Sequence, residues 1–159
     1  MSYKKILIAV DDRESSMAVA EKGFELAEQL NAEVALIYVV ELTKAIKNNP
    51  YIRRQAIENP DIEVLIKDTM NSLIKEAKDA LENIIRTNNK SEDTIQFTPE
   101  GFPKECILET ADSWGADLIV IGLHGKTGLG IFVMGSISQY ISLHSEIPVL
   151  IIPPKEKDK

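Results

Sequence analysis

Residues 116–136 read ADLIVIGLHGKTGLGIFVMGS. The apolar run breaks at Gly122, and from there to Ser136 the chain gathers five of its eight glycines. Glycine loses more freedom on ordering than any other residue, so such a cluster implies a backbone that must approach something closely. The run before it is continuous rather than alternating, which predicts a strand covered on both faces, as in a parallel sheet. After it, Gly135-Ser136 opens a helical pattern, and a helix start offers free N–H groups and a favourable dipole to an anion.

Working outward, three other runs have the same character: ILIAV (6–10), EVALIYVV (33–40) and PVLII (148–152). A fifth, TIQFTPEG (94–101), is more polar and is expected at a sheet edge. Between them lie helical patterns. Residues 15–30 place Ala20, Phe24, Ala27 and Leu30 on one face, and residues 61–88 repeat Ile62, Leu65, Ile66, Met70, Leu73, Ala77, Leu81 and Ile84. Pro103 suits the first turn of a third helix running to about Trp114, and Ser136 opens a fourth. The order βαβαβαβαβ predicts right-handed crossovers and an open, doubly wound, five-stranded parallel α/β sheet of the Rossmann-like kind. One domain, 1–159, is expected. Residues 41–60 carry Pro50, Pro60, Lys44, Lys47, Arg53 and Arg54 and read as a long surface loop with room for a short helix, and 154–159 as a solvated tail.

The formal charge of −7 and the lack of a basic, aromatic-interleaved patch argue against nucleic acid and anionic membrane surfaces as partners. No apolar run approaches a membrane span, and MSYKKILIAVDD lacks a signal-peptide cleavage region. A cytoplasmic protein is expected. Cys106 is the single cysteine and reads as a buried structural residue in the helical pattern KECILETA.

Familiar phosphate motifs do not fit the glycine segment. Gly125-Lys126-Thr127 resembles the end of a Walker A loop, but position 120 is Val where that loop needs glycine. Gly128-Leu129-Gly130 is followed by Val133, which breaks a dinucleotide fingerprint. The spacing that does hold is G-x2-G-x9-G-S, at Gly122, Gly125, Gly135 and Ser136. With KKILIAVD, YVV, EGFPKECIL and GSISQYISLHSEIPVLII in the same order, the chain resembles the ATP-binding branch of the universal stress protein family over nearly its whole length.

That resemblance implies a set of roles. Ala9, Val10 and Asp11 would face adenosine, Val39 would meet adenine through its main chain, and Ile121, Gly122 and Gly125 would line ribose and phosphates. Gly135, Ser136, Ile137 and Ser138 would hold the phosphate chain. It also implies ATP accompanied by a divalent cation, Mg or Mn, carried by the phosphates with no protein metal ligands. A homodimer joined through Pro148–Ile152 and a role in regulating stress response complete what it implies. The charged stretch Asp11-Asp12-Arg13-Glu14-Ser15 and Leu123 depart from the usual family pattern.

Plainer readings stand beside these. Asp11 can help cap the following helix, Asp12 can cap it or be solvated, and Ser136 with Gln139 forms a capping-box pattern. His124 suits hydrogen bonding within the loop, His144 the negative end of the last helix, and Lys126 either a phosphate or solvent. The alternatives to an ATP-binding regulator are a slow ATP hydrolase and a relative that keeps no nucleotide and works through protein contacts. A phosphoacceptor receiver is disfavoured, because FTPEG and EIP stand where its aspartate and lysine would be.

Overall fold

The structure is a computed structural model and describes residues 2–41, 49–59, 61–123 and 134–155. Five strands form one all-parallel sheet: β1 Lys5–Val10, β2 Glu33–Tyr38, β3 Ile95–Phe97, β4 Leu118–Gly122 and β5 Val149–Ile152. Their spatial order is β3-β2-β1-β4-β5. The helices are α1 Ser15–Leu30, α2 Pro50–Glu58, α3 Ile62–Thr87, α4 Pro103–Trp114 and α5 Ser136–His144.

Alternation along the central strands divides the core into two layers, because successive side chains point to opposite faces. Ile6, Ile8, Val10, Leu36, Leu118 and Val120 pack beneath α1 and α3, whereas Leu7, Ala9, Ala35, Ile37, Ile119 and Ile121 pack beneath α4 and α5. Burial on both faces explains the continuous apolar runs. Gly23 of α1 lies directly on Ile8, where a methyl group would stand 2.4 Å from Cδ1.

Two expectations change in detail. The polar strand is shorter than 94–101, covering Ile95–Phe97, with one further parallel bridge between Val40 and Glu100. It lies at the edge and pairs with β2 alone, so one neighbour rather than two holds it in register. The loop after β2 contains a nine-residue helix, α2, which makes the order βαβααβαβαβ. Asn49 caps α2 by accepting from the N–H groups of Tyr51 and Ile52, and Pro50 takes the first helical position, where a missing N–H costs nothing.

In α3 the expected apolar stripe is buried only from Met70 onward, at Met70, Ala77, Leu81, Ile84 and Ile85. Ile62, Leu65 and Ile66 are half-buried. The residues after Met70 are therefore the part of α3 that covers the sheet.

Candidate functional site

The strand order reverses between β1 and β4, so the connections leave those two strands in opposite directions and their helices diverge. A crevice of about 330 Å³ opens there at the carboxyl ends of the strands. That volume falls within the roughly 300–1,000 Å³ typical of small-molecule sites. Its floor is Ala9 and Val10 of β1, Ile37 and Tyr38 of β2 with Val39 and Val40, and Ile121 and Gly122 of β4. Helices α4 and α5 supply Pro103, Ile107 and Ile137, while α1 and α3 supply Ser16, Val19, Leu73 and Glu76.

Seven of the residues expected at the site line this crevice: Ala9, Val10, Asp11, Val39, Ile121, Gly122 and Ile137. Gly135, Ser136 and Ser138 are not among the lining residues. Gly135 is the N-cap of α5 in extended conformation, and Ser136, one position later, is exposed. No side chain caps this helix start, so the capping-box reading of Ser136 and Gln139 is corrected: the backbone N–H of Gln139 donates to the Gly135 carbonyl. Ser138 is fully buried and its hydroxyl donates to the Gly135 carbonyl at 3.0 Å, which braces the start of α5. Gly125, His124, Lys126, Gly128 and Gly130 lie outside the described residues.

Asp11 is not the N-cap of α1. Its N-cap is Glu14, which makes no side-chain capping bond. The Asp11 carboxylate instead accepts from the backbone N–H of Arg13 and from the Ser16 hydroxyl, both at 2.9 Å, and Ser16 Oγ accepts the Asp11 N–H at 2.9 Å. Arg13 Nε stands 3.6 Å from the same carboxylate. These bonds fix the turn that leads from β1 into α1. Asp12 is exposed at the crevice mouth. His144 ends α5 as expected, its Nδ1 2.9 Å from the Tyr140 carbonyl and its ring stacked on Tyr140.

Sequence reasoning missed the part of the crevice formed by Arg13, Ser16, Tyr38, Glu41, Leu73 and Glu76. Burial, and then the charges of Asp12, Asp11, Glu76 and Glu41, push the Tyr38 phenol up to about 12. Leu73 and Glu76 stand three apart on one helix and so share a face, the one signal that linked them. Cys106 is buried as expected, with its thiol directed at the Glu100 carbonyl, and burial followed by Glu109 and Glu105 raises its pKa. A raised thiol pKa suits a structural cysteine. Among the described residues no group of three or more His, Cys, Asp or Glu is placed to hold a metal ion, and no helix is long and apolar enough to cross a membrane.

A five-stranded, all-parallel, doubly wound sheet with a crevice at its switch point defines an α/β domain of the kind whose ligands lie at the strand ends. The family model described as the universal stress protein family matches residues 2–153, and the chain belongs to that family. It is similar to two universal stress proteins of Methanocaldococcus jannaschii. One is 30% identical, over 98% of this chain and 85% of the relative, and the other is 31% identical over 96% of each. The solved structure of the second superposes with a TM-score of 0.75 at 26% identity, over 99% of this chain and 100% of that one. More distant structures share the fold. One is a universal stress protein in complex with cAMP, with TM-score 0.59 and 17% identity over 96% of this chain and 98% of that one. Another, from Arabidopsis thaliana, has AMP bound, with TM-score 0.60 and 16% identity over 96% of this chain and 93% of that one.

Proposed function

We propose that the chain is a nucleotide-binding regulator of the stress response that holds ATP in the crevice between β1 and β4. The carrying observation is the convergence of Ala9, Val10, Asp11, Val39, Ile121, Gly122 and Ile137, spread over 129 residues of sequence, on one crevice at the strand ends. An apolar floor between diverging helices suits a flat base, and polar groups at its margin suit the sugar and phosphates. Structural relatives described with cAMP and AMP support a nucleotide as the ligand class.

In this reading adenosine lies over Ala9, Val10, Asp11 and Val39. Ribose and phosphates run past Ile121 and Gly122 towards Gly125 and the start of α5, Gly135 to Ser138. A divalent cation, Mg or Mn, travels with the phosphates. Two copies join through β5, whose outer side pairs with no described strand, and the protein works in the cytoplasm by binding rather than turnover.

The test is direct. Purified protein is denatured and the released nucleotide identified, then the emptied, refolded protein is titrated with ATP, AMP and GTP. Adenine nucleotide in the released fraction and saturable ATP binding are expected. No released nucleotide together with no binding of any of the three would remove the reading. Phosphate release measured beside the titration separates a carrier from a slow hydrolase.

A further inference from the structure

The two halves of the crevice differ in charge. Among the described residues, the wall from α4, β4 and α5 contributes only apolar side chains and a glycine. Among the described residues, the opposite wall holds four carboxylates and one guanidinium: Asp11 and Asp12 from the turn after β1, Glu41 after β2 and Glu76 from α3, with Arg13 set against Asp11. Three chain segments thus bring acidic groups to one mouth. Their fields meet at a common point, because all four raise the pKa of the same Tyr38 phenol.

We propose that this acidic wall is a charge filter on the bound nucleotide: the crevice takes a monophosphate, or a triphosphate neutralised by a divalent cation, in preference to the bare triphosphate. The proposal rests on the crevice being the nucleotide site. A carboxylate about 10 Å from a phosphate across a water-filled mouth weakens binding by about twofold for each unit of ligand charge. Bare and cation-bound triphosphate differ by about two charges, so each carboxylate contributes about fourfold to the discrimination at low salt. Screening shrinks it as ionic strength rises. The filter selects by net charge and demands no contact between Glu76 and any particular atom of the ligand.

The experiment measures affinities of the intact protein for adenosine, AMP, ATP with a chelator, and ATP with Mg²⁺, at low and high salt. The wild type is compared with Glu76→Gln and Glu41→Gln, both checked for native circular dichroism. The gain in affinity on neutralising either residue should grow with ligand charge. It should be smallest for adenosine, intermediate for AMP and for ATP with Mg²⁺, and about fourfold larger for bare ATP than for ATP with Mg²⁺, and it should fade in high salt. A change of equal size for all ligands, or none, with binding otherwise intact, would overturn the filter and leave the site standing. If the wild type binds none of these ligands, the site itself falls and the filter with it.

Discussion

Ser16 and Asp11 hold each other through two reciprocal hydrogen bonds: the Ser16 hydroxyl donates to the Asp11 carboxylate and accepts the Asp11 N–H, each at 2.9 Å. Ser16 is buried in the first turn of α1, and Asp11 ends the β1 side of the crevice. The pair ties the direction of the carboxylate to the position of the helix. Ser16→Ala removes both bonds and leaves a half-buried N–H without that acceptor. Urea denaturation should show a loss of about 1–2 kcal/mol, and ATP binding should weaken with it. Unchanged stability would show that water replaces the hydroxyl at no cost.

The contact between Gly23 and Ile8 gives a separate test of the core. A methyl group at position 23 would lie 2.4 Å from Ile8 Cδ1 and 2.8 Å from Cγ1, and Ile8 is fully buried. Overpacking of this kind costs about 1–3 kcal/mol, set against about 1 kcal/mol gained from better helix propensity. Gly23→Ala should therefore be neutral to destabilising by about 2 kcal/mol. Ile8→Val, which deletes Cδ1, should cost less in the Gly23→Ala background than in the wild type. Strict additivity of the two changes would contradict the packing described.

Tyr38 should titrate late. Its phenol is pushed up to about 12, by burial first and by Asp12 next. A folded-state pKa above the unfolded value of about 10 leaves stability untouched below pH 10 and removes it as pH rises through 12. Ultraviolet difference titration of wild type against Tyr38→Phe isolates this phenol. The wild type should also lose more stability than the variant between pH 10 and 12. A Tyr38 transition centred near pH 10 in the folded protein would contradict the acidic surroundings assigned to it.

The proposed dimer depends on β5. The Ile119 N–H donates to the Pro148 carbonyl and the Leu123 N–H to the Ile152 carbonyl, so residues 148, 150 and 152 face β4. In a strand the intervening residues, Val149 and Ile151, then direct their backbone groups outward. Ile151→Pro removes an outward donor and spares the ladder to β4. Sedimentation should show a wild type of twice the monomer mass and a monomeric variant. A monomeric wild type would dismiss pairing through this edge.

The strands were legible because each central one is buried on both faces and so carries an uninterrupted apolar run. The order β3-β2-β1-β4-β5 was not legible, because right-handed connections are compatible with more than one strand order. Helix α2 was expected only as a short helix somewhere in 41–60; its place at Asn49-Pro50, itself a helix-start signal, was not read. At the site, Gly122 could be placed from sequence because it ends a strand, whereas Ala9, Val10, Asp11 and Val39 were placed by the family resemblance. Glu76 could not. Whether a helix residue reaches that edge depends on how far α3 extends past the sheet, a tertiary quantity that periodicity does not carry. Asp11 and Ser136 show the opposite failure: local capping patterns were present, but the N-cap positions fall on Glu14 and Gly135.

The most direct test of nucleotide binding at the switch point is the affinity for ATP of Gly122→Val, a variant that places a side chain at the buried β4 end of the crevice. Calorimetric titration of folded wild type and variant in Mg²⁺ should give saturable binding to the wild type and a loss of at least roughly tenfold, about 1.4 kcal/mol, in the variant. Equal affinity in a natively folded Gly122→Val protein would place the nucleotide elsewhere or nowhere on this chain.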